Sequence, residues 1–311
     1  MKITWSGVFP AITTKFAKDY SLDFETFELN LKEQISAGVD GIIIGGTLGE
    51  SSVMTNAEKN ELLKFCIEKV KGKIPVVLNI AEGSTREALR EAESAAKAGV
   101  SGLMILPPMR YKTDHRETVE YFSTIAKATD LQIMIYNNPI DYKTEVTLDM
   151  FEELAACRNI EAVKESTRDI ANVTRMINRF GDRYSVLCGV DTLALESLLM
   201  GANGWVAGLV CAFPKETVAI YRLVKSGRIQ EALEIHRWFM PLLELDIHSK
   251  LVQYIKLAEA EAGIGTETVR PPRLTLIGKE REEILKVIRH GLKNRPVLPD
   301  YLNLGKVSTV N

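Results

Sequence analysis

Short apolar runs alternate with amphipathic segments through the first two-thirds of the chain. Most of the runs are apolar on both faces, which is typical of parallel strands that are covered by helices. The predicted strands are 7–14, 41–46, 75–80, 102–108, 132–137, 160–167, 184–189 and 204–209.

The segments between these strands carry helix patterns with recognisable start signals. Thr55 is followed three residues later by Glu58, and Ser84 is followed in the same way by Glu87. This spacing is that of a capping box, in which a hydroxyl and a carboxylate satisfy the first backbone donors of a helix. Helices are therefore expected to begin at both places.

Eight strands that each precede a helix predict a (β/α)8 TIM barrel. A doubly wound sheet is the alternative, but no GxGxxG follows the first strand and no GxxxxGK[ST] occurs in the chain. After about residue 227 the strand patterns end and helical patterns follow. We expect the barrel in residues 1–227, a C-terminal helical extension in 228–295 and a flexible tail in 296–311.

Composition and charge exclude several classes of function. The 311 residues include 39 Lys and Arg against 41 Asp and Glu, and the net charge of −2 gives no support to nucleic-acid or membrane-surface binding. No apolar run approaches the ~20 residues of a membrane helix, and the N-terminus lacks the pattern of a signal peptide. The four cysteines are scattered, with no CxxC pair. A reduced, cytoplasmic protein is expected.

Polar residues at the ends of the predicted strands are the candidates for chemistry, because TIM barrels carry their active sites there. Alternation along the fifth and sixth strands directs Tyr136 and Lys164 into the barrel mouth from neighbouring strands. The strand-end candidates are Thr47, Glu50, Tyr136, Asn137, Lys164, Gly189 and Asp191.

A lysine at this place has two interpretations. Partial desolvation would lower its pKa and free the neutral amine of Lys164 to attack a carbonyl, while a nearby phenol shuttles protons. Alternatively, Lys164 pairs with Glu165 or Glu50 and only holds the barrel together. Spacing alone leaves both open. The four histidines lack the spacing of a metal site, and no GxSxG motif indicates a nucleophilic serine.

Four motifs in register resemble the dihydrodipicolinate synthase/N-acetylneuraminate lyase family. They are GTLGES at 46–51, YNNP at 136–139, VKEST at 163–167 and CGVD at 188–191. The resemblance extends over residues from about 5 to 293. It implies that Lys164 forms a Schiff base with a 2-oxo acid, usually pyruvate, that Tyr136 relays protons, and that Thr47 joins this relay and holds the tyrosine.

Three positions depart from the family pattern. Leu48 stands where the family has a second hydroxyl residue that holds the substrate carboxylate, and Asp141 stands where synthases have an arginine. The tyrosine that a neighbouring subunit supplies in the family is matched only by Tyr111, shifted by about one position. The residues expected to bind the substrate are Gly46, Leu48, Gly189, Asp191, Asp141 and Tyr111.

These departures indicate which activity to expect. The chain most resembles the 1-pyrroline-4-hydroxy-2-carboxylate deaminase branch, in which Lys164 would attack the imine carbon and 2,5-dioxopentanoate would form. The alternatives are an aldolase that releases pyruvate from a 2-keto-3-deoxy sugar acid or N-acetylneuraminate, then a dihydrodipicolinate synthase, and last a non-catalytic barrel that binds an oxo acid. The resemblance further implies a small-molecule substrate, a homotetramer built as a dimer of dimers, and no metal, nucleotide or flavin cofactor.

Overall fold

A closed ring of parallel strands forms the centre of the molecule. The computed structural model describes residues 1–108 and 110–304. The strands pair in the order β1-β8-β7-β6-β5-β4-β3-β2, and a parallel bridge between Ala11 and Ile43 joins the two ends. The (β/α)8 barrel is thereby confirmed. Its strands are β1 (Gly7–Pro10), β2 (Ile42–Ile44), β3 (Val76–Ile80), β4 (Gly102–Ile105), β5 (Gln132–Asn137), β6 (Ile160–Glu165), β7 (Ser185–Cys188) and β8 (Gly204–Ala207).

Helices cover the outside of this ring. Their apolar faces bury residues such as Leu63 and Ala92 against the strands, which are themselves buried on both faces. The helices between strands are α1 (Phe24–Ser36), α2 (Asn56–Val70), α3 (Thr85–Ala98), α4 (His115–Lys127), α5 (Pro139–Tyr142), α6 (Leu148–Leu154), α7 (Ala171–Phe180), α8 (Ala194–Leu199) and α9 (Pro214–Lys225).

Both predicted start signals lie at helix beginnings. Thr55 and Glu58 form a complete capping box at the start of α2. Ser84 accepts a hydrogen bond from the backbone N–H of Glu87 at the start of α3. Gly99 ends α3 in the left-handed conformation (φ 87°), which glycine adopts without steric cost. Local sequence therefore fixes where these helices begin and where α3 turns into β4.

Three helices follow the barrel: α10 (Ile229–Leu243), α11 (Leu251–Glu261) and α12 (Gly278–Lys293). Beyond them Tyr301 is buried within a short 3-10 turn at 301–303. Residues 305–311 of the predicted flexible tail lie outside the described residues. The boundary predicted near residue 227 falls in the turn between α9 and α10.

Two buried ion pairs join α11 to the loops at the barrel mouth. Lys256 donates to the Glu50 carboxylate at 2.7 Å, and Lys15 lies 3.1 Å from Glu259. All four side chains are inaccessible to solvent. Because a buried charge is costly without its partner, these pairs fix the helical extension in one position on the barrel.

No helix among the described residues is both long enough and apolar enough to cross a membrane.

The Glu50–Lys256 pair makes a prediction about stability. Lys256→Met should reduce the free energy of unfolding by about 3 kcal/mol, the lower end for a broken buried pair, because the buried Glu50 carboxylate then keeps only the guanidinium of Arg273, 4.0 Å away, as its cation. Urea denaturation followed by circular dichroism measures this. The control is Lys97→Met, which removes an exposed pair with Glu93 and should change stability by less than about 1 kcal/mol. Equal losses in the two variants would contradict the role of the buried pair.

Candidate active site

A cavity of about 80 Å³ opens at the carboxyl ends of the strands. Segments from several βα loops and from the helical extension line it, as the barrel architecture requires. Seven of the residues predicted from the sequence line this cavity: Gly46, Thr47, Leu48, Tyr136, Asp141, Lys164 and Gly189.

Lys164 lies on β6 directly opposite Tyr136 on β5. Only 7% of the lysine is exposed, and its Nζ lies 3.9 Å from the centre of the Tyr136 ring. Burial lowers the pKa of Lys164, while the carboxylate of Asp246 opposes that effect. The surroundings therefore favour the neutral amine, which is the form that attacks a carbonyl carbon.

Gly189 leaves the space that the lysine stem occupies. A Cβ at this position would lie 2.6 Å from Cγ of Lys164 and 2.1 Å from Oγ of Ser166. Any larger residue would displace both side chains. Gly189 therefore contributes space: without a side chain at this position, the Lys164 side chain fits beside the end of β7.

Tyr136 is a half-buried phenol next to the amine. Its hydroxyl accepts a hydrogen bond from Nδ2 of Asn138 at 3.2 Å. Burial raises the pKa of Tyr136 to about 12, so the phenol keeps its proton at neutral pH. A protonated phenol beside a neutral amine can supply and recover a proton as bonds to carbon change.

The hydroxyl of Thr47 contacts a tyrosine that the sequence analysis missed. We expected Thr47 to hold Tyr136, but its Oγ1 shares a 2.5 Å hydrogen bond with the phenol oxygen of Tyr142. Tyr142 in turn packs edge-to-face on Tyr136, with ring centres 5.6 Å apart. The signal for Tyr142 was local: Asn138 followed by Pro139 predicts a helix start, and the resulting turn returns the chain to the cavity.

Asp141 and Arg168 lie together at the cavity rim. The Asp141 carboxylate accepts from Nδ2 of Asn138 at 2.7 Å, and a guanidinium nitrogen of Arg168 lies 4.0 Å away. Arg168 is a second residue that sequence analysis missed. Its backbone is left-handed (φ 63°), a conformation uncommon for residues other than glycine. The anion expected at position 141 is therefore accompanied by a cation.

Two of the residues expected to bind the substrate lie outside the cavity lining. Asp191 is fully buried, and its carboxylate accepts from Nε1 of Trp205 at 2.9 Å and from the backbone N–H groups of Gly208 and Leu209. This geometry gives Asp191 a role in holding the loop after β8, and its contact with substrate stays a prediction. Tyr111 is 57% exposed on the loop after β4.

Two further polar groups face the cavity without having been nominated. Asp246 comes from the segment before α11, and burial together with nearby Asp191 raises the pKa of its carboxyl group. Ser166 lies two residues beyond Lys164, and its buried Oγ has no hydrogen-bond partner among the described residues. A Cβ on Gly208 would lie 2.1 Å from Oδ1 of Asp246, so Gly208 permits this close approach.

A protein metal site requires a cluster of ligand side chains such as His, Cys, Asp and Glu. Within residues 1–108 and 110–304, no three His, Cys, Asp or Glu side chains cluster in a way that could hold a metal ion. The polar groups at the cavity are instead the amine of Lys164, the two phenols, hydroxyls, the carboxyl group of Asp246 and the Asp141–Arg168 pair. This set suits amine and proton-transfer chemistry.

The sequence matches a known family over nearly its whole length. The profile of the dihydrodipicolinate synthetase family matches residues 4–291. The chain belongs to this family. It is 33% identical over 288 residues to the 4-hydroxy-tetrahydrodipicolinate synthase of Bartonella bacilliformis, which covers 91% of this chain and 97% of that protein. The resemblance drawn from the four motifs is confirmed, and the chain is an enzyme of a lyase family.

Solved structures agree with this membership. The 4-hydroxy-tetrahydrodipicolinate synthase of Methylacidiphilum fumariolicum superposes with a TM-score of 0.88 at 29% identity, covering 93% of this chain and 96% of that one. A monomeric dihydrodipicolinate synthase variant gives a TM-score of 0.87 at 27% identity, with coverage of 93% and 96%. The barrel and its helical extension are thus shared with enzymes of this family.

The environment of Lys164 predicts a pH dependence for covalent capture. Borohydride reduction should trap pyruvate on Lys164 at a rate that rises with pH and levels off below 10.5, the ordinary lysine value, because burial favours the neutral amine. Asp246→Asn should move the midpoint to lower pH, since an anion that stabilises the ammonium form is removed. Mass spectrometry of the trapped chain measures this. Asp141→Asn is the control, because its carboxylate is half exposed. A wild-type midpoint at 10.5 would contradict the prediction.

Proposed function

We propose that the chain forms a Schiff base between Nζ of Lys164 and C2 of a small 2-oxo acid or of its cyclic imine. One observation carries this proposal. The amine of Lys164 is buried, has a lowered pKa and lies against the ring of the protonated Tyr136 in the same cavity. An amine that only held the barrel together would instead be paired with a carboxylate. Glu50, one of the two partners considered, is occupied by Lys256, and Glu165 accepts from Thr167 and Asn172.

The substrate that we propose is 1-pyrroline-4-hydroxy-2-carboxylate. The lysine adds to C2, the bond from C2 to the ring nitrogen breaks, and that nitrogen remains as an amine on C5. Loss of a C3 proton and of the C4 hydroxyl as water then leads to an imine at C5. One water hydrolyses this imine and releases ammonia, and a second water frees 2,5-dioxopentanoate from the lysine. The balance is one water consumed and one ammonia released.

The shape of the cavity supports a compact substrate. Leu48 is buried and lines the cavity at the position where the family has a second hydroxyl. A leucine offers no hydrogen bond to a carboxylate or a polyol, and it narrows the space. The free hydroxyl of Ser166, close to Lys164, is available to a substrate carboxylate instead. A five-membered ring with one carboxylate suits this arrangement better than a nine-carbon sugar acid.

The named relatives are synthases, so synthase activity is the second candidate. Their activity requires a second substrate that brings its own carboxylate. The half-exposed Asp141 at the rim repels an incoming carboxylate, while Arg168 offsets part of that repulsion. The balance between the two charges at this rim decides between deamination and condensation.

The oligomeric state and the cellular location of the protein are also proposals. We propose a homotetramer, built as a dimer of dimers, that works in the cytoplasm. The support is the family resemblance, together with four cysteines that are all free thiols and three of which are buried.

The deaminase activity is tested by ammonia release from 1-pyrroline-4-hydroxy-2-carboxylate. Lys164→Ala should lower the rate on the order of a thousandfold or more, because it removes the nucleophile. Lys127→Ala, an exposed lysine at the end of α4, is the matched control and should leave the rate unchanged. Absence of ammonia from well-folded wild type would overturn the deaminase proposal. Pyruvate release from 2-keto-3-deoxy acids would then be assayed.

The charge at position 141 is tested by condensation of pyruvate with aspartate semialdehyde. Asp141→Arg should raise kcat/KM about tenfold, the equivalent of one charge-assisted hydrogen bond to the second carboxylate. Asp141→Asn removes the anion without adding a cation and should give a smaller gain. If wild type already condenses these substrates efficiently and Asp141→Arg adds nothing, the second candidate replaces the first.

A further inference from the structure

The buried centre of the active site needs a route for protons. When an amine and a carbonyl form a Schiff base, the oxygen leaves as water, and both protons of that water come from the amine nitrogen. Tyr136 can carry them over this short distance. Removal of a proton from C3 is different, since that proton must eventually exchange with solvent. The hydroxyl of Tyr136 accepts a hydrogen bond from Nδ2 of Asn138, which cannot take its proton, so such exchange depends on another neighbour.

Tyr142 packs against Tyr136 and also contacts the exposed Thr47. Its ring packs edge-to-face on Tyr136 with centres 5.6 Å apart. Its hydroxyl shares a 2.5 Å hydrogen bond with Thr47, whose side chain is exposed at the cavity mouth. The order from the inside outwards is Lys164, Tyr136, Tyr142 and Thr47, and all four line the same cavity.

Local sequence fixes Tyr142 in this place. Asn138 caps α5 by accepting from the backbone N–H of Asp141, and Pro139 occupies the first turn. The amide nitrogen of the same Asn138 donates to the hydroxyl of Tyr136 at 3.2 Å. One side chain thus connects the first phenol to the helix that carries the second. Lys143 then ends α5 in a left-handed conformation (φ 68°), which leaves Tyr142 as the last helical residue.

We propose that Tyr142 is the proton-carrying link between Tyr136 and the solvent-exposed Thr47, so that a single chain contains the complete proton route of its active site. This inference rests on the Schiff-base chemistry proposed for Lys164. When C3 loses its proton, Tyr136 receives it and passes its own proton to Tyr142, from which Thr47 and solvent accept it. The reverse order returns a proton to C3. No bond to carbon other than C3–H changes in this exchange.

This assignment differs from a route through Tyr111. Tyr111 is 57% exposed on the loop after β4 and lies outside the cavity lining of its own chain. A route through it would require a second chain to bring it to the site. Tyr142 needs no such partner, because its contacts with Thr47 and Tyr136 are already made.

Deuterium exchange into pyruvate tests the proposal without the natural substrate. In D2O, wild type should form the enamine of pyruvate on Lys164 and replace the methyl protons with deuterium, which proton NMR follows. Tyr142→Phe should slow this exchange on the order of tenfold or more, because the link to solvent is removed. Borohydride should still trap pyruvate on this variant. Tyr20→Phe, which changes an exposed tyrosine outside the cavity lining, is the matched control and should exchange at the wild-type rate. Tyr111→Phe tests the alternative route.

The outcomes separate this inference from the proposed function. An adduct and exchange in wild type, with equal exchange in Tyr142→Phe, would overturn the role of Tyr142 and leave the Schiff base intact. Loss of exchange in Tyr111→Phe alone would also overturn it. Absence of any adduct in folded wild type would overturn the Schiff-base proposal and this inference with it. Thr47→Val is the second variant if Tyr142→Phe does not fold, and a wild-type rate in Thr47→Val would count against the route.

Discussion

The buried carboxylate of Glu50 is the constraint on which the active site depends. Glu50 has a left-handed backbone (φ 51°), which costs a residue other than glycine about 1–2 kcal/mol. That conformation persists because Lys256 and the backbone N–H of Arg270 hold the carboxylate at 2.7 Å and 3.0 Å. The strained turn fixes the loop after β2, and with it the position of Thr47.

The cap of α5 is a second local constraint, on the opposite side of the cavity from Glu50. Asn138 and Pro139 start the single-turn helix α5, whose last residue is Tyr142. The Thr47–Tyr142 hydrogen bond therefore joins two loops that are each fixed by their own chemistry: a buried ion pair on one side and a helix cap on the other. An active site built in this way is held before substrate arrives, which limits the ordering that binding requires.

Sequence reasoning succeeded where regular geometry carries the information. Alternation along a strand requires Tyr136 and Lys164 to share a face, and the register of β5 against β6 makes them direct neighbours. It missed Tyr142 although Asn138 and Pro139 mark the start of α5, and it could not identify Arg168 or Asp246, because loops and irregular turns have no period from which the direction of a side chain can be read. The same limit explains Asp191. Its place after β7 is correct, but only the fold shows that its carboxylate faces Trp205.

The helical extension completes the electrostatics of the site as well as its shape. Burial alone drives Lys164 towards the neutral amine, and Asp246 from the segment before α11 acts in the opposite direction. The burial that disfavours the ammonium also disfavours the Asp246 carboxylate, whose pKa is raised. Burial therefore favours the neutral form of both groups, the amine and the carboxylic acid. The extension thereby adds a carboxyl group to the surroundings of the lysine, and this group lies in the segment immediately before α11, whose Lys256 secures Glu50.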